Sequence, residues 1–240
     1  MLITFSGLDG SGKTTLIDAT RRLLEKRSQP VTVLTMYDDI TMYALARWCR
    51  DRVRAALGRR RRGGSPGGTV SADRRGGRGH LARRLVYAIA RHPVTRACVL
   101  PLDVVAFACR SLYERRVRGR VLVVDRYFYD SLADLASDGR LAWLYIAVVL
   151  RLVPRPAAPV FVDVTPETAY ARKQEYPVDY MHWRRGVYRR IFAAVPGALV
   201  IENYDGQAAL EALEVTLGAR LGPPVSSGEL VTWNDSGSRR

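Results

Sequence analysis

The first stretch of the chain whose residue types and spacing could do chemistry is Gly7-Leu8-Asp9-Gly10-Ser11-Gly12-Lys13-Thr14. It fits G-x-x-x-x-G-K-[ST] without a gap, and the residues before it, Leu2 to Ser6, read as a buried strand. Glycine at these positions lets the backbone curl until its N–H groups point inward at a bulky anion. A helix starting near Lys13 would add unpaired N-terminal N–H groups and the positive end of its dipole. At this spacing Lys13 is expected to reach the β- and γ-phosphates of a nucleoside triphosphate, with the Thr14 hydroxyl on Mg²⁺. The expected ATP-binding set is Gly7, Asp9, Gly10, Ser11, Gly12, Lys13, Thr14 and Thr15. A guanine-nucleotide enzyme is disfavoured: the only lysines are Lys13, Lys26 and Lys173, none follows an asparagine, and so N-K-x-D is absent.

The second chemical feature is Asp125-Arg126, which ends the apolar run Val121-Leu-Val-Val124. A carboxylate there can hold Mg²⁺ directly or through water, and a guanidinium beside it can grip another phosphate with two parallel hydrogen bonds. Together with the loop, the pair predicts two phosphoryl sites facing one another, with Thr14 and Asp125 as the metal residues.

These residues need elements to position them. Strand patterns occur at Leu2–Ser6, Val31–Met36, Arg120–Asp125, Pro159–Val164 and Ala198–Glu202, alternating with helical patterns. Helices are expected over Lys13–Arg27, residues 41–57 and 81–91, from Val94 to about Arg118 with a bend at Pro101, and, following the stretch Asp125–Ala133, on to Val153. Others should run from Thr165, whose side chain can cap ahead of Pro166, into Glu175, then over Asp179–Ala194 and Ala208–Leu221. The expectation is an α/β fold of P-loop NTPase kinase type: a five-stranded parallel sheet with helices on both faces. It forms one domain over 1–221, with ligands at the carboxyl ends of the strands. Gly7–Thr14, Asp38-Asp39, Asp125-Arg126 and the Thr165 region all fall at such ends.

Composition adds bounds. The chain has 240 residues, 48% hydrophobic and 25% charged, and a formal charge of +15. Between Arg47 and Arg91 lie fourteen arginines and two aspartates, or +12, so the remainder carries about +3 by subtraction. The low-complexity run 58–79 reads as a flexible Arg/Gly-rich insertion, and 222–240 as a disordered tail. A basic tract specifies no partner by itself, so nucleic acid is not the expected partner. Cys49, Cys98 and Cys109 form no C-x-x-C pair and read as buried thiols in a reducing compartment. The run Leu141–Leu150 is too short to span a bilayer and reads as a core helix. Residue 2 already begins a strand, which leaves no room for a secretory leader; the expected location is the cytoplasm.

The chain resembles the thymidylate kinase family of nucleoside-monophosphate kinases in three pieces: FSGLDGSGKTTL at 5–16, DRYFYDSLA at 125–133 and VFVDVTPETAYARKQE at 160–175. The resemblance implies phosphoryl transfer from MgATP to a nucleoside monophosphate, dTMP being the leading candidate acceptor, and a homodimer. It implies that Asp9 lies near the acceptor sugar, that Arg126 binds the acceptor phosphate, and that Arg172 and Lys173 belong to a basic lid over the donor phosphates. The catalytic set is then Lys13, Arg126 and Arg172. The chain departs from the family after its second strand, where only the acidity of Asp38-Asp39 survives. It also carries Leu112 where a base-reading glutamine stands, and Asp134-Leu135 in place of tyrosine-glutamine. Tyr37, Asp38, Arg110, Tyr127 and Tyr129 are the candidates for shaping the acceptor pocket. Another small acceptor, such as a modified nucleotide or a sugar, and a polyanion-binding ATPase are the competing readings.

Overall fold

The computed structural model describes residues 1–36 and 93–221. Tyr37, Asp38, Asp39, Cys49, the 41–57 and 81–91 segments, the basic insertion and the tail lie outside the described residues. The described strands are β1 (Leu2–Gly7), β2 (Val31–Thr35), β3 (Val121–Asp125), β4 (Ala158–Asp163) and β5 (Leu199–Glu202). They form one parallel sheet in the order β2-β3-β1-β4-β5. Its helices among the described residues are α1 (Lys13–Lys26), α2 (Pro93–Leu112), α3 (Phe128–Leu135), α4 (Arg140–Leu152), α5 (Pro166–Arg172), α6 (Val178–Ala193) and α7 (Gly206–Leu221).

β1 is the central strand, and all six of its residues are buried. Strand alternation sends its side chains to two separate cores. Leu2 joins Phe107, Leu122, Phe128 and Phe161 on one face, while Ile3 and Phe5 join Leu16, Val123, Val160 and Leu213 on the other. Burying each such side chain stabilises the fold by about 1.5–3 kcal/mol. The register aligns Phe5 with Asp125 and Gly7 with Val162, so the glycine loop and the Asp125-Arg126 turn leave the sheet at the same edge. The order of strands reverses around β1, which is where a parallel sheet of this kind opens a crevice.

Several expectations are corrected. The stretch Asp125–Ala133, expected to come before the helical text, itself opens a helix, α3, and Ala136 is extended between α3 and α4. The helix beginning at Pro166, N-capped by Thr165, stops at Arg172 because Lys173 is extended. The helical run expected from Val94 to about Arg118 is present: α2 carries Pro101 inside it and continues as a π-helical turn, Tyr113–Val117. α4 is not a core helix: Ile146 and Val149 are buried, but Leu141 is 82% exposed and Leu144 62%, because one face alone meets the sheet-side core. Cys98 and Cys109 are exposed on α2 rather than buried, and both are free thiols. Among the described residues no helix is long and apolar enough to cross a membrane.

The carboxyl end of β4 is tied to α6 by one carboxylate. Asp163, 2% exposed, accepts from Arg185 Nε at 2.6 Å and Nη2 at 3.0 Å, and from Arg189 Nη2 at 2.7 Å. Burial alone would raise its pKa, but the bonds from Arg185 and Arg189 outweigh burial and hold it below the usual carboxylate range. A carboxyl depressed in the folded state contributes stability that is present above the unfolded pKa, near 4, and is lost as pH falls through the folded value. Asp163→Asn is therefore expected to reduce stability at pH 7 by about 1–3 kcal/mol, after discounting for the partly open arginines, and with it the melting temperature. The gap to the unaltered chain should close as pH falls below 4; melts across pH 2–7 check it, and a gap independent of pH would refute the ion-pair origin.

Candidate active site

The loop between β1 and α1 is wound tightly. Gly10 and Gly12 both take left-handed φ values, 83° and 87°; a Cβ at Gly10 would run into the Ala169 carbonyl, and one at Gly12 into the Asn203 side chain. Only glycine meets both demands. Gly12 stands in the N-cap position of α1 without a side-chain cap, which leaves the first N–H groups of that helix facing the crevice. Asn203, just past β5, closes the loop from behind by donating Nδ2 to the Ser11 carbonyl at 2.7 Å.

Lys13, 7% exposed, folds back over this loop and donates Nζ to the carbonyls of Gly7 at 2.9 Å and Leu8 at 2.7 Å. Burial pushes its pKa down and Arg126 adds to the fall, while Asp130, Asp9 and Asp125 oppose it. The ammonium therefore sits among three carboxylates and one guanidinium. Asp125 is pushed the other way: burial raises its pKa, against the pull of Lys13 and Arg126.

Arg126 leaves β3 with φ 60°, a left-handed conformation that a side chain with a Cβ rarely adopts. Its N–H bonds to the Phe5 carbonyl at 3.0 Å, and its guanidinium pairs with Asp9 Oδ1. The turn thus directs Arg126 across β1 to the loop. Strain of this kind is characteristic of functional turns. Arg172, at the end of α5, lies beside Gly12 and donates Nη2 to the carbonyls of Asn203 at 3.1 Å and Tyr204 at 3.4 Å. Lys173 pairs with Glu175 at 2.7 Å, within the electrostatic reach of Asp9 and Arg126.

The structure therefore brings Gly7, Asp9, Gly10, Ser11, Gly12, Lys13, Asp125, Arg126, Arg172 and Lys173 together at the carboxyl end of the sheet. Thr14 and Thr15 open α1 beside them, both exposed. Other candidates lie elsewhere. Tyr127 is wholly buried, its ring packed on Phe107 and Phe128 and its hydroxyl donating to the Pro154 carbonyl at 2.5 Å, so it does not shape a pocket. Tyr129 is buried against Phe192. Arg110 pairs with Glu114 at 3.0 Å, one turn further along the same helical segment. Aromatic residues in a loop-helix junction can face core or crevice, and here the junction turns them inward.

Sequence reading missed a buried carboxylate. Asp130 caps the start of α3 by accepting from the Tyr127 N–H at 3.0 Å, and it also accepts from Ser6 Oγ at 2.5 Å and Tyr188 OH at 2.8 Å. Asn203 was missed as well. The available signal for each was position: three residues after a helix N-cap for one, the residue after a strand for the other.

For Mg²⁺ the residues present fit. Asp125 Oδ1 is buried without a hydrogen-bond partner, as is Ser11 Oγ, and a hard cation prefers such oxygens. Among the described residues no three acidic, histidine or cysteine side chains cluster as a self-sufficient metal site, so phosphate and water oxygens would complete the shell. Burial disfavours the Asp125 carboxylate, so Asp125→Asn is expected to raise the melting temperature of the ligand-free chain at pH 7. Because its folded pKa is raised, that gain should vanish below the unfolded pKa, near 4. The same variant should lose the added thermal stabilisation that MgATP gives the unaltered chain. Melting curves with and without MgATP check both; equal MgATP stabilisation of the two chains would remove Asp125 from the metal set. No protein-family model matches the chain and no curated protein matches it, so the site stands on this geometry.

Proposed function

We propose that this chain is an ATP-dependent phosphotransferase of the P-loop nucleoside-monophosphate kinase type, with dTMP the leading candidate acceptor. The observation that carries the reading is the placement of the Arg126 guanidinium against Asp9 in the loop that holds Lys13. A guanidinium just past β3 and an ammonium at the start of α1 stand at the same end of the sheet, which suits two phosphates brought end to end.

Phosphoryl transfer asks the protein mainly to align two anions and to offset charge that spreads in the transition state. In this reading the loop amides and the N-terminus of α1 hold the donor phosphates, and Lys13 exchanges the Gly7 and Leu8 carbonyls for phosphate oxygens. Thr14 and Asp125 would hold Mg²⁺, which would supply charge neutralisation for the donor phosphates. Arg126 releases Asp9 to clasp the acceptor phosphate with parallel N–H bonds. Arg172 and Lys173, on the segment after β4, close over the donor and exclude the water that would otherwise hydrolyse ATP.

A screen of phosphomonoester acceptors with MgATP, dTMP first, read by product mass, tests the activity. Lys13→Ala is expected to cut turnover about a hundredfold or more. Arg126→Ala is expected to raise the acceptor KM by about 10–100-fold, the value of one or two charge-assisted hydrogen bonds, while ATP still binds. Acceptor kinetics untouched by Arg126→Ala would overturn its assignment.

A further inference from the structure

A second hollow lies at the other end of the sheet from the glycine loop. It is a cavity of about 440 Å³ between α4 and the last turn of α6. Its wall includes Val153, Arg155 and Pro156, which lead into β4, and Ala194, Val195 and Pro196, which follow α6 towards β5. Those segments stand at the amino ends of the strands, whereas Gly7–Thr14 and Asp125-Arg126 stand at the carboxyl ends. About the length of a strand, roughly 15–20 Å, separates the two places.

The wall has the make-up of a small-molecule site, apolar with a few polar groups. Ile146, Leu150 and Ile191 supply apolar surface, and Trp143 adds a ring. Arg151, Arg155 and Arg190 stand among them, and none of the described residues that line the cavity is acidic. Arg190 lies over the Trp143 ring, 3.7 Å from its centroid. A guanidinium so placed spends its face on the ring and keeps its in-plane N–H groups for an acceptor. Among the described residues Arg190 has no carboxylate partner, although Arg184, Arg185 and Arg189 just before it each have one.

Tyr129 supplies an independent sign. It lines the cavity, is only 2% exposed, and packs its ring on Tyr127 and Phe192. Its hydroxyl has no hydrogen-bond partner among the described residues, whereas the Tyr127 hydroxyl reaches the Pro154 carbonyl and the Tyr188 hydroxyl reaches Asp130. Buried tyrosine hydroxyls ordinarily find an acceptor. An occupant of the cavity can supply it.

We propose that this cavity binds a small aromatic anion, separately from the phosphate crevice: its ring lies among Trp143, Ile146 and Ile191, an acceptor on the ring takes the Tyr129 hydroxyl proton in a hydrogen bond, and its carboxylate or phosphate is held by Arg155 and Arg190. Charge selects the anion, because the wall offers guanidinium groups with no carboxylate to offset them. The cavity volume selects a ligand of one or two fused rings rather than a chain segment. The inference does not rest on the phosphotransfer reading.

Calorimetric titration of the full chain with 6-hydroxy-2-naphthoate, 2-naphthoate, 2-naphthyl phosphate and the neutral 6-hydroxy-2-naphthamide tests it. The anions are expected to bind at least about tenfold tighter than the amide, the value of one or two charge-assisted hydrogen bonds. The tighter of 2-naphthoate and 2-naphthyl phosphate identifies the head group. Arg155→Gln and Arg190→Gln, both at exposed positions, should each narrow the gap between anion and amide. Tyr129→Phe should weaken 6-hydroxy-2-naphthoate several-fold and leave 2-naphthoate as it was, and Arg126→Ala should leave all four affinities unchanged. No binding by the unaltered chain, an amide that binds as tightly as the anions, or full anion affinity in both arginine variants would each overturn the proposal. So would loss of binding in Arg126→Ala, which would assign the probes to the crevice.

Discussion

Keeping an ammonium charged inside a nearly closed loop is the constraint on which the architecture depends. Lys13 has lost most of its water, and two main-chain carbonyls give it only part of the solvation it needs. Carboxylates must therefore stand nearby, and Asp9, Asp125 and Asp130 come from the loop, from the end of β3 and from α3. Such residues, up to 121 positions apart in the chain, meet only if β1 and β3 are parallel neighbours ending at one edge. The sheet order is thus the geometric solution to an electrostatic problem at its rim.

The rim is stiffened by buried polar bonds rather than by loops alone. Ser6 points to the α3 side because alternation along β1 puts even-numbered residues there, and Asp130 receives it. Tyr188 on α6 reaches the other oxygen of the same carboxylate, and Arg184, one turn earlier, reaches Asp134. Asp163 anchors the same two turns of that helix through Arg185 and Arg189. α6 is consequently fixed to α3 and β4 by charge-assisted bonds, and Asp130 ties α3 on to β1 through Ser6.

Much of this was legible because it is local. The G-x-x-x-x-G-K-T spacing, the five strand patterns and the Thr165-Pro166 cap are each encoded within a few consecutive residues, and Asp125-Arg126 was marked by the apolar strand before it. What was not legible depends on pairing through space. Nothing near Ser6 announces Asp130, and nothing near Ser11 announces Asn203; both contacts exist only once the sheet is assembled. Tyr127 and Tyr129 were assigned to the pocket because aromatic residues next to an Asp-Arg pair suit either surface, and the choice was made by the room left beside Phe107 and Phe192. The α4 run was taken for core because its apolar count is high, whereas burial follows the face, and Leu141 and Leu144 stand on the wrong one.

The Asp9–Arg126 pair has a physical role that does not depend on which acceptor is correct. A guanidinium aimed at an anion site cannot remain both poised and unpaired when it is only a quarter exposed, since an uncompensated charge there would drive the side chain out to water. Asp9 supplies that anion from the rim of the same loop, and on the proposed phosphotransfer reading the guanidinium is thereby held where a phosphate would be met. Exchanging one oxygen anion for another then requires a short swing of two side chains and no refolding of the turn. Because Arg126 is already in its left-handed conformation, the cost of that backbone is met during folding rather than at binding, which is the sense in which a site is preorganised.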